Sequence, residues 1–90
     1  MNLKDIEKLI EEEREILAMH KRNLEKFIDQ GFKGFISDDA LKAMLIAKED
    51  PNKKYTDEYY RLFDAVNKSG AKIIQLNIDA RNLVLNNAQS

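Results

Sequence analysis

The chain has 90 residues, 43% hydrophobic and 34% charged, with a formal net charge of −1 and neither cysteine nor tryptophan. These counts describe one small domain and exclude a disulfide framework, a thiolate metal site and a strongly basic nucleic-acid footprint. The longest unbroken apolar run, Ala43 to Ala47, falls far short of the roughly 18 residues a membrane span needs. The opening Met1-Asn2-Leu3-Lys4-Asp5 is too charged for a secretory leader, so a cytoplasmic location is expected, with no membrane partner. Charge divides as −2 over residues 1–30, +1 over 31–55 and zero over 56–90. With three glycines, one proline and scattered β-branched residues, the composition favours helix throughout.

In chain order, the first predicted helix covers about residues 3–30. Leu3, Ile6, Ile10, Glu13, Leu17, His20, Leu24 and Phe27 follow alternating steps of three and four, the spacing of a heptad seam. Asn2 is placed to cap its start. Glutamates crowd its first half and Lys21, Arg22 and Lys26 its second, as the helix dipole favours. Gly31 fits the left-handed position after a helix, with Phe32 folding back on Phe27 or Ile28.

A second helix is expected over about 38–49, capped by Ser37 with Asp38 and Asp39 in its first turn. Its middle, Ala40 to Ala47, is apolar nearly all round and calls for neighbours on more than one side. Pro51 reads as closing this element, with residues 50–55 as a polar link.

The third helix then runs from about 57 to 87, starting after Thr56. Ser69-Gly70 offers a break that would make four helices, but an interior glycine costs only about 1 kcal/mol relative to alanine. Tyr59, Leu62, Val66, Ser69, Ile73, Leu76, Ala80, Leu83 and Asn87 hold one heptad phase through it. Continuity is therefore expected. Ile74 to Ile78 alternates like a strand, but no partner strand exists in the chain. Ile74, Ile78 and Leu85 add a second apolar stripe beside the seam.

Helices of about 40, 18 and 45 Å do not fit a compact 90-residue globule, whose radius of gyration would be roughly 12 Å. An up, down and up path would leave the start of the first helix and the end of the last uncovered. The expected unit is an elongated all-α bundle of two long amphipathic helices and one short central helix, a single domain over residues 1–90. It would homo-oligomerise through Leu3, Ile6, Ile10, Leu17, Ile73, Leu76 and Leu83.

Three constellations bear on function. Glu13 and His20 lie on the first seam, where they would set register, or where several copies of His20 would gather into a pH-sensitive cluster. No Glu-x-x-His pair accompanies them, and an active site shared between subunits would have only these two to offer. Lys33, Phe35, Lys53, Lys54 and Tyr55 would form a basic and aromatic end surface for nucleic acid or a protein partner, if they are not simply an aromatic cap with solvated lysines. Gly31-x-x-Gly34 lacks the Gly-Lys-Ser/Thr of a phosphate loop, and Glu11-Glu12-Glu13 lacks the order of a calcium loop. No nucleophile, metal set or cofactor motif stands out, so a non-enzymatic, cofactor-free assembly or adaptor module is the expected function.

Residues 38 to 87 combine a short helix, the turn Asp50-Pro51-Asn52 and a long heptad helix with Ser69, Lys72 and Asp79. In architecture this resembles the oligomerisation core of phage small terminase subunits. It is also loosely similar to the helical hairpin of type III secretion needle subunits, from which the long charged first helix departs. The first resemblance implies the alternative function: a nucleic-acid-associated, phage-related DNA-packaging oligomer with Lys33, Lys53 and Lys54 repeated around a ring.

Overall fold

A computed structural model describes residues 2–89 as three helices: α1 (Leu3–Phe35), α2 (Asp38–Ile46) and α3 (Pro51–Gln89). The fold is all-α and elongated, as its seams demand. It measures 69 × 19 × 16 Å, and its radius of gyration of 20.0 Å far exceeds that of a compact chain of this size.

Local chemistry sets the boundaries. Asn2 Oδ1 accepts the Asp5 N–H at 2.9 Å and Ser37 Oγ accepts the Ala40 N–H at 3.2 Å, so both expected N-caps are in place. Gly31 takes φ 68° with ψ −176°, a conformation essentially confined to glycine. The helix does not end there as expected: Gly31 kinks it and one further turn follows as far as Phe35, closed by the Ile36 N–H bonding to Phe32 O at 2.9 Å.

The end of α2 and the start of α3 also differ from expectation. The second helix stops at Ile46, three residues early, because Lys48 adopts φ 59°. The Glu49 N–H then reaches Met44 O at 2.9 Å and the Lys48 N–H reaches Leu45 O at 3.2 Å. That pair of bonds is a complete Schellman stop, with lysine where glycine is usual. The third helix starts at Pro51, six residues early. Asp50 is its cap: its carboxylate accepts the Asn52 N–H at 3.0 Å and its carbonyl the Lys54 N–H at 3.2 Å. Proline suits the first helical position, where its missing N–H has no intrahelical partner to lose. Pro51 therefore opens a helix and does not merely close one. From there α3 runs unbroken through Gly70.

The path also differs from up, down and up. Phe27 stacks on Tyr55, while Glu13, earlier in α1, pairs with Lys72, later in α3. The two long helices are thus antiparallel neighbours, and α2 sits at the closed end of the hairpin. A helix of nine residues followed at once by a new cap is too short to form a third parallel layer. As a result the start of α1 is covered: Ile6 and Ile10 are both buried.

Candidate interaction surface

The heptad spacing translates directly into burial. All eight α1 seam positions from Leu3 to Phe27 are buried or half-buried, as are the α3 seam positions from Tyr59 to Leu83; Asn87, at the open end, is exposed. The expected self-contact residues Leu3, Ile6, Ile10, Leu17, Ile73, Leu76 and Leu83 therefore all lie on faces covered within the single hairpin. Glu13 is buried in this seam, its carboxylate 3.3 Å from Lys72 Nζ, which stays largely in water. His20 is half-buried one heptad further along α1.

At the closed end an aromatic cluster locks the two helices together. The Phe27 and Tyr55 rings stack at 4.7 Å, and Phe35 meets Phe27 edge-on at 5.2 Å. Phe32 and Phe35 meet Tyr55 at 5.8 and 5.9 Å. Phe32 thus turns to α3, leaving Ile28 exposed. The Gly31 kink brings Phe32 and Phe35 to Tyr55, and the early start of α3 supplies Tyr55 from a helix. Phe35 and Tyr55 are consequently partners of one another and half-buried, while Lys33, Lys53 and Lys54 are exposed. Lys53 bonds Asp57 at 3.0 Å, and this hydrogen bond and charge raise its pKa. An open groove of about 410 Å³ beside it is lined by Met44, Glu49, Asp50, Lys53, Lys54 and Asp57, a set of mixed charge. Among the described residues no group of three His, Asp or Glu side chains is gathered to hold a metal ion, and no helix is long and apolar enough to cross a membrane.

The uncovered apolar surface lies elsewhere. On α3, Ile74 is 63% exposed, and Ile78, Val84 and Leu85 are each at least 44% exposed. Tyr60 and Phe63 extend the exposed surface toward the closed end, where Tyr59 stacks on Phe63 at 5.9 Å. On α2 only Met44 is buried, while Leu45 and Ile46 are exposed, Ile46 at 83%. The helix that calls for several neighbours packs mainly against α3. Sequence reading found Ile74, Ile78 and Leu85 but missed the upstream continuation of their stripe. The signal was the same three-and-four spacing, rotated around the helix from the seam.

Compared with known protein families, curated proteins and solved structures, the chain matches none.

Proposed function

We propose that this chain is a non-catalytic, cytoplasmic interaction module that self-associates through the outer face of α3 and thereby presents its closed end to a protein partner. The observation that carries this reading is the stripe of exposed isoleucine and leucine on the side of α3 opposite its own hairpin seam. Contiguous exposed apolar surface on a small domain marks an interaction site. Neither α1 nor the short α2 covers it. The described residues include no fully buried large side chain, so the hairpin gains from any added layer.

The mass of the purified protein, measured by light scattering across a concentration series with and without DNA, tests the reading. A multiple of 10.5 kDa is expected. Ile74→Asp and Ile78→Asp should return the mass to one chain with helicity unchanged, because both positions are exposed. A wild-type mass of one chain at every concentration refutes self-association. Retention of DNA that falls steeply with salt would favour the packaging alternative instead, since phosphate contacts carry that dependence.

A further inference from the structure

α3 carries a second heptad phase on the face turned away from α1. Taking steps of four and three alternately from Tyr60 to Leu85, every residue met is exposed. The run exceeds three heptads and is about 38 Å long, enough for a helix-to-helix seam. Its positions are symmetric about the midpoint between Lys72 and Ile73. Two copies of α3 laid antiparallel about a two-fold axis at that point set every stripe residue against another. Tyr60 faces Leu85 of the second copy, and Ala71 faces Ile74, a small residue against a large one. Asn67 faces Ile78, a single polar position of the kind that specifies register at some cost in stability. Asp64 faces Arg81, twice.

Charge selects this arrangement from its rivals. Asp64 and Arg81 are both exposed and have no ion-pair partner among the described residues of their own chain. In-register parallel pairing would set Asp64 against Asp64 and Arg81 against Arg81, and like charges facing each other are destabilising. Sliding one copy by a heptad sets Arg81 against Ala71 in one direction, and Asp64 against Ile74 and Leu85 against Lys53 in the other. Only the register centred between Lys72 and Ile73 pairs both charges and keeps Leu85 on an apolar partner.

We propose that a second copy of this chain docks on the outer face of α3 in this antiparallel register, with reciprocal Asp64–Arg81 ion pairs fixing it. The inference rests on the self-association proposed above and specifies its geometry. Both α1 helices then lie outermost, and the two closed ends point in opposite directions.

Single-cysteine variants test the geometry cleanly, because the chain has no native cysteine. Spin labels at Gln75 should lie about 8 Å apart along the axis and labels at Lys54 about 55 Å apart, from the helical rise. D64R and R81D should each weaken the dimer about tenfold by opposing like charges, and the double variant D64R/R81D should recover most of the loss. An oligomer with equal separations at both labelled sites, or a double variant no tighter than the singles, overturns this register and leaves self-association standing. A wild-type protein of single-chain mass overturns both.

Discussion

Replacing each of the three glycines by alanine puts one change of side chain into three different backbones, and the structure orders the outcomes. At Gly31 an added Cβ meets no atom within 4 Å, but φ 68° with ψ −176° is a conformation essentially reserved for glycine. Gly31→Ala should therefore cost about 1–3 kcal/mol, and the aromatic turn that reaches Tyr55 would be displaced. At Gly34 the Cβ would lie 2.3 Å from Gln30 Cγ, so the glutamine must swing away and give up its 2.6 Å bond to Gly34 O. Both groups are exposed and alanine is the better helix former, so the net change should stay within about 0.5 kcal/mol. Gly70 lies inside the unbroken α3, outside the positive-φ region, with nothing within 4 Å of an added Cβ. Gly70→Ala should stabilise by about 1 kcal/mol through helix propensity alone. For a chain of this length that is an increase of about 4–8 °C in Tm. Urea midpoints from far-UV circular dichroism, all taken at one protein concentration because self-association shifts them, measure the series. A Gly31→Ala variant as stable as the wild type, or a Gly70→Ala variant less stable, refutes the reasoning.

Three further outcomes follow from single contacts. Lys48→Gly should stabilise by about 1 kcal/mol, since lysine at φ 59° carries the left-handed penalty that glycine lacks; a loss in the urea midpoint contradicts this. Glu13→Leu should hold or raise stability, because an apolar residue replaces a buried carboxylate in the seam. Lys72→Ala should lower it by about 1–2 kcal/mol, a cost limited by the 63% exposure of the lysine; equal effects of the two substitutions would contradict the buried pairing. Acid titration should show a small loss of stability carried by Glu58. Arg61 Nε donates to its carboxylate at 3.0 and 3.2 Å and holds its pKa below the usual 4.5. A depressed carboxylate stabilises the folded state above its ordinary pKa, and that contribution is lost as pH falls through the lowered value. Glu58→Gln should flatten this dependence, and an unchanged acid profile would count against it.

How much of this was legible in the sequence depends on whether the deciding interaction was local. The caps at Asn2 and Ser37, the positive φ at Gly31 and the unbroken phase through Gly70 are each set within a few residues, and each was readable. That α1 resumes for one more turn after Gly31 was not, because the contacts of Phe32 and Phe35 with Tyr55 come from a distant part of the chain. Pro51 was ambiguous for a physical reason. It pushes the preceding residue out of helical geometry, and equally it is the residue best suited to begin a helix, so its sequence signal is the same at a stop and at a start. Asp50, capping immediately before it, was the clue that separates the two. Lys48 gave no signal, because nothing in the side chain of lysine favours positive φ. The seam raises a different difficulty. Heptad spacing shows that a stripe must meet another helix, but it carries no information on whether that helix belongs to the same chain. Leu76 and Ile74 are two residues apart and equally apolar, yet one is half-buried beneath α1 and the other faces outward.

That distinction bears on what the polar seam residues do. Glu13, His20 and Ser69 interrupt the apolar seam, and all three are buried or half-buried where α1 meets α3 within one chain. The Glu13–Lys72 pair couples a position 11 residues into α1 to one 22 residues into α3. With the aromatic cluster at the closed end, it pins the hairpin at two well-separated points against sliding. In the antiparallel α3 dimer proposed above, both α1 helices lie on the outside, and each His20 stays inside its own hairpin. The pH-sensitive cluster that a ring built on the α1 seam would create then has no place to form. Assembly through α3 should accordingly be the same at about pH 5 as at pH 8, where a cluster of gathered histidines would come apart as it charged.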